Sequence, residues 1–148
     1  NEVLGKPGSV PEARETLRRL RGRIHQVHTG IVVVESETGR TLTDSCSTDV
    51  PMRFYSDNEI ETYLATGDPM DKAGSYGIQH KEFQPVALLV GCYAGVMGLP
   101  LCHLANLLRH FKVPIPSTIA ASCQLHIQFD CRISESVLGR GINLNDEG

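Results

Sequence analysis

The sequence predicts an α/β fold, a mixed β-sheet flanked by helices in which strands outnumber helices. Three features carry that expectation. The run Ile31-Val32-Val33-Val34 is β-branched and long enough for a strand. Ser56 and Glu59 stand in the Ser-x-x-Glu spacing of a capping box. Two segments opened by Pro11 and Pro100 repeat apolar residues every three to four positions, as amphipathic helices do. The 148 residues hold 14 Lys+Arg against 17 Asp+Glu, with 41% hydrophobic and 21% charged residues. That is ordinary globular composition and excludes an acidic or low-complexity disordered chain. At this length a chain buries about 68–70% of its unfolded surface, so stability requires neither a disulfide nor a metal. The net charge of −3 opposes broad electrostatic binding to nucleic acid. No apolar run approaches the ~20 residues that span a bilayer. Asn1-Glu2-Val3-Leu4 has no basic leader, and five cysteines form no disulfide-scaffold spacing, so a reducing cytoplasm is expected.

In chain order, Ala13, Leu17 and Leu20 share one face of the first helix and Gly22 stops it. Arg14, Arg18, Arg19 and Arg21 line the other side, where Glu12 and Glu15 favour a solvated face over a phosphate patch. Ile24, Val27 and the run to Val34 predict one long, largely buried strand. Glu37-Thr38-Gly39-Arg40 is a turn, and a second strand follows from Thr41 to Phe54, interrupted at Pro51. Behind the capping box, Ile60, Tyr63 and Leu64 give the next helix its stripe, and Gly67 ends it. Residues 68–80, dense in Gly, Asp and Pro, predict a polar loop, the place where sites tend to lie. A short buried strand is expected over 86–90, a turn over 91–95 and a return strand from Val96-Met97. The helix opened by Pro100 should bury Leu101, Leu104, Ala105 and Leu108. Residues 1–112 form the domain; 113–148 predict a weakly structured C-terminal extension.

The commonest nucleotide, hydrolase and zinc-protease motifs are absent. Candidate chemistry gathers in two segments, Leu4-Gly5-Lys6-Pro7 and the stretch from Asp71 to Gln79. A Lys between Gly and Pro has little backbone freedom, which aims its ammonium as an anion-contacting group. The second segment adds Lys72, small residues that let a ligand approach the backbone, and Gln79, whose amide complements a uracil or thymine edge.

These strings, LGKP, EARETLRRLRGRIHQVHTG, SDNEIETYLATGDPMDKAGSYGIQ and GCYAGVMGLPL, together resemble the Maf family of nucleoside triphosphate pyrophosphatases from about Val3 to His110. The Asp-Lys-Ala-Gly loop with its Gln is similar to the branch acting on dTTP and UTP. The resemblance implies a cytoplasmic enzyme, dependent on Mg²⁺ or Mn²⁺, that splits a nucleoside triphosphate into monophosphate and pyrophosphate and serves nucleotide-pool house-cleaning. It implies roles for Lys6 as a phosphate contact, Gln79 in substrate choice, and Asp71 and Lys72 as lining of the same cleft. Arg23, His25 and Thr29 match the family's GRxHxVxT strand, with Arg23 the candidate substrate contact. The metal ligands are unassigned, and the family allows a homodimer.

The family pattern places a Ser with paired arginines, and then an Asp-Thr pair holding the general base, ahead of LGKP. This sequence opens five residues before Lys6 and holds neither, so the resemblance implies an N-terminally truncated chain with an exposed sheet edge and apolar surface. Turnover needs both charge neutralisation and an activated water; Lys6 and Lys72 supply part of the first, and nothing clearly supplies the second. The alternative is a non-catalytic nucleotide-binding or interaction remnant. A third option is zinc in the tail, where Cys123, His126 and Cys131 stand close, with Cys102, His103 and His110 upstream. Cys46 and Cys92 are expected as packing residues.

Overall fold

The computed structural model describes residues 2–140, and the Gly/Asn/Asp-rich end lies outside the described residues. The architecture is α/β, with antiparallel strands flanked by helices. Helices α1 (Val10–Leu20), α2 (Asp57–Ala65), α3 (Tyr93–Val96), α4 (Leu101–His110), α5 (Ile119–Ile127) and α6 (Ser134–Leu138) accompany strands β1 (Ile24–Val34) and β2 (Thr41–Pro51). The expected majority of strands is therefore reversed among the described residues. The chain divides into two compact units: residues 1–25 with 49–89, and residues 26–48 with 90–148.

In the first unit, α1 forms as its sequence dictates. The Ser9 hydroxyl accepts from Glu12 N at 3.3 Å, Pro11 sits in the first turn, and Ala13, Leu17 and Leu20 are buried. The arginines on its outer side are not simply solvated. Arg14 binds Glu61 at 2.8 Å, Arg18 and Arg21 share Asp57 at 2.8 and 2.7 Å, and Arg19 pairs with Glu2. Two acidic side chains of α2 thus meet the basic face of α1. The capping box of α2 is complete: Ser56 Oγ accepts from Glu59 N at 3.2 Å and Glu59 Oε2 accepts from Ser56 N at 2.7 Å. Ile60, Tyr63 and Leu64 are buried behind it. The Tyr55 hydroxyl donates to Leu17 O at 2.8 Å, and the Phe83 ring packs on Tyr55 and stacks on Tyr63.

The hairpin corrects two expectations. β1 has the predicted span, yet its burial alternates and only Ile31 is buried, because a hairpin strand half-open to water follows period 2. β2 ends at Pro51 instead of running to Phe54; Met52 continues only as an isolated antiparallel bridge to Val86. The strand expected over 86–90 is reduced to that bridge, flanked by Arg53 N to Pro85 O and Ala87 N to Pro51 O. Leu88 is 81% exposed where burial was expected. A short apolar run carries no period long enough to separate strand from coil.

In the second unit, residues 93–97 turn as a helix rather than starting a strand. Cys92 Sγ accepts from Gly95 N at 3.2 Å, and a Cβ on Gly95 would stand 2.8 Å from Cys46 Sγ, so only glycine lets the turn seat there. Cys46, Cys92, Ala94 and Cys123 form a core cluster with Leu101, Ile127 and Ile133 packed against it. α4 buries Ala105 as expected, but with Cys102, His103, Asn106 and Leu107, while Leu101, Leu104 and Leu108 of the expected stripe are only half-buried. Its polar members are buried because each has a partner: His103 Nδ1 lies 2.8 Å from Asp44 Oδ2, and Asn106 Nδ2 donates to Val137 O at 2.6 Å. The segment 113–140, with few periodic signals, holds α5 and α6, which pack on α4.

Candidate functional site

Lys6, Arg23, Asp71, Lys72 and Gln79 all belong to the first unit. The expected polar loop over 68–80 is more ordered than its composition suggests. Two short 3₁₀ turns, Asp68–Asp71 and Ala73–Ser75, fold it back, and residues 74–77 are buried. Gly74 adopts φ 72°, a conformation glycine enters without steric penalty. Ser75 follows at φ 61°, fully buried, its hydroxyl without a hydrogen-bond partner. Gly74 N donates to Gly5 O at 3.1 Å. That bond seats the backbone of the Gly5-Lys6-Pro7 segment beside the loop that carries Asp71 and Lys72.

The electrostatics centre on Lys72. Its ammonium donates to Asp68 O at 3.0 Å, Asp68 Oδ1 at 2.9 Å and Asp71 Oδ1 at 2.7 Å. Asp71, then Asp68, hold the Lys72 ammonium above its usual pKa, and Lys72 holds the Asp71 carboxyl below the carboxylate range. For Asp68, burial opposes ionisation, but hydrogen bonds from Tyr63 and Lys72 together outweigh it and lower its pKa. The Tyr63 hydroxyl donates to Asp68 Oδ2 at 2.5 Å and accepts from Gly77 N at 2.9 Å. A Cβ on Gly77 would stand 3.1 Å from Lys72 Cε, so the lysine stem runs along that glycine.

Lys6 and Gln79 are exposed, Gln79 two residues past Gly77, and neither side chain is engaged with another described residue. Arg23 is exposed, and no hydrogen bond or ion pair joins its side chain to the loop. His25 takes a packing position: its Nε2 lies 2.9 Å from Tyr76 Oη, and burial keeps the imidazole pKa below its ordinary value. In the second unit, Thr29 donates to Gly95 O at 2.8 Å. A cavity of about 110 Å³ lies near the loop, lined by Glu59, Tyr63, His80 and Phe83 among others and by none of the five candidate residues. Sequence reasoning missed Tyr63 and Asp68 as parts of this network. The Asp68-x-x-x-Lys72 spacing was the available signal.

Metal chemistry finds no cage of protein ligands. Among the described residues no group of three or more His, Cys, Asp or Glu side chains is arranged to hold a metal ion, Cys123, His126 and Cys131 included. Both oxygens of Asp68 and one of Asp71 are already committed to Tyr63 and Lys72. The loop does not fit a protein-only magnesium or manganese site.

Residues 2–111 match the family described as "Maf-like protein", and the chain belongs to that family. It is 47% identical over 114 residues to a dTTP/UTP pyrophosphatase of Alkaliphilus metalliredigens, covering 76% of this chain and 59% of that protein. It is 48% identical over 108 residues to a dTTP/UTP pyrophosphatase of Dictyoglomus thermophilum, covering 73% of this chain and 56% of the relative. A third relative, the dTTP/UTP pyrophosphatase of Dehalococcoides mccartyi strain 195, is 43% identical over 107 residues, 72% of this chain and 48% of its own length. The chain thus spans about half the length of the relatives it matches. No helix among the described residues is long and apolar enough to cross a membrane.

Proposed function

We propose that this chain carries the phosphate- and base-contacting part of a nucleoside triphosphate pyrophosphatase directed at dTTP, UTP and modified pyrimidine nucleotides, releasing monophosphate and pyrophosphate. The observation that carries this reading is the Gly74 N to Gly5 O bond of 3.1 Å, which sets the Lys6 segment against the Lys72 loop. Two lysines on adjacent, backbone-bonded segments suit a polyphosphate, whose transfer chemistry depends on charge neutralisation and positioning. Gln79 would read the pyrimidine edge, and Arg23 is a candidate substrate contact. Magnesium or manganese would enter on the nucleotide's own oxygens, since such ions are commonly held by substrate phosphates. No residue is assigned to it.

A second reading, nucleotide binding without turnover, is favoured by one observation: Asp68 and Asp71, the carboxylates of the loop, both pair with the Lys72 ammonium, a role that competes with general-base work. Five free thiols suit a reducing cytoplasm, and a homodimer is compatible with either reading. Pyrophosphate release from UTP and dTTP with Mg²⁺, assayed beside calorimetric UTP binding, separates the two. Release that falls on Lys6→Ala and Gln79→Ala supports the enzyme; binding without release supports the second reading; neither binding nor release refutes both.

A further inference from the structure

An ammonium has three N–H donors, and in Lys72 all three are occupied: by Asp68 O, Asp68 Oδ1 and Asp71 Oδ1. In this state no donor is left for a phosphate oxygen. To meet a polyphosphate, Lys72 must release a partner, and its two carboxylates are held very differently. The Asp71 side chain is 79% exposed and grips Lys72 through a single oxygen, a pair that water and salt screen readily. The Asp68 side chain is 32% exposed, and its second oxygen accepts from Tyr63 Oη. Its carbonyl supplies another hold on the same ammonium. Tyr63 is buried, and its hydroxyl also receives Gly77 N, so one phenol ties the start of the 68–77 segment to its end.

We propose that Tyr63 and Asp68 form a positioning bracket that fixes the Lys72 ammonium, while Asp71 is the exchangeable partner that a nucleotide polyphosphate displaces. The inference rests on the nucleotide-binding reading of this loop. Asp68 and Tyr63 are positioning residues, acting through Lys72. The consequence is a difference in sign. Asp71→Asn weakens a competitor for Lys72 by removing its charge, whereas Asp68→Asn weakens the group that aims it. Loss of negative charge near an anion site would by itself raise affinity in both variants.

The test is calorimetric titration of the full chain and its variants with UTP. Asp71→Asn lowers Kd roughly threefold, the scale of an exposed ion pair, and Asp68→Asn raises it by at least as much. Tyr63→Phe raises Kd by less and carries the comparison if Asp68→Asn does not fold. A shift in the same direction for Asp71→Asn and for the bracket variants overturns the proposal. A readout without nucleotide is the nuclear Overhauser contact between the Lys72 ε-protons and the Gly77 α-protons. It persists in Asp71→Asn and weakens in Asp68→Asn; the same behaviour in both variants overturns the bracket. Failure of the unsubstituted chain to bind UTP overturns the nucleotide reading and Asp71's exchange with it, while the Overhauser pattern still decides the bracket.

Discussion

The two compact units are held together by different chemistry. The first is fastened by aromatic rings and directional polar contacts: Arg14 with Glu61, Arg18 and Arg21 with Asp57, Arg53 with Glu59, and Tyr55 with the Leu17 carbonyl. It contains no cysteine, and Lys6, Arg23, Asp71, Lys72 and Gln79 all fall in it. The second holds all five cysteines and closes around Cys46, Cys92, Ala94 and Cys123, small side chains at close approach. Directional contacts aim side chains. Small-residue packing fixes backbones at short range and tolerates little added volume.

Core truncation should show the largest effects, and in both units alike. Leu17→Ala in the first unit and Leu107→Ala in the second each empty a fully buried site and should cost about 2–5 kcal/mol in urea unfolding. Amide exchange resolved by residue sharpens the comparison: each substitution should raise exchange first in its own unit, and equal acceleration everywhere would show the units unfold as one. Next comes overpacking. Gly95→Ala places a methyl 2.8 Å from Cys46 Sγ and should destabilise by about 1–3 kcal/mol, with Cys46→Ala recovering part of the loss in a double-mutant cycle. Smaller still is the α2 cap, where Ser56→Ala should cost about 1 kcal/mol, read from the same urea curves.

The smallest effect is a pH dependence confined to the first unit. The Ser56 backbone N–H, Arg53 and the Ser56 hydroxyl hold the Glu59 carboxyl at about 2, below its ordinary 4.5. Because the folded value is the lower, its contribution to stability is complete above about 4.5 and is lost as pH falls toward about 2. The urea midpoint followed over that window should fall less steeply in Glu59→Gln; identical slopes would remove Glu59 from the account.

Local chemistry was legible where it is self-contained. Pro11, the Ser56–Glu59 box and the Gly67 stop each act within a turn or two, and α1 and α2 stand as expected. The 86–90 run and the leucine stripe of α4 were misread because their fate depends on partners far along the chain: Met52 for the first, Asp44 and Val137 for the second. The five site candidates could be named one by one from their strings. Their arrangement could not, since the Gly5–Gly74 bond spans residues remote in sequence.

The sequence by itself determined the starts of α1, α2 and α4, the hairpin turn, the family and the residue types available for binding a charged ligand, because these follow from local backbone preference and from strings of neighbouring residues. Only the tertiary structure decided that Asp68 joins Asp71 on Lys72, that Tyr63 braces Asp68, and that Arg14 and Arg18 of α1 pair with α2 while Arg19 pairs with Glu2. Those outcomes depend on which side chains long-range packing brings within about 3 Å, the reach of a hydrogen bond, and no local pattern encodes that distance.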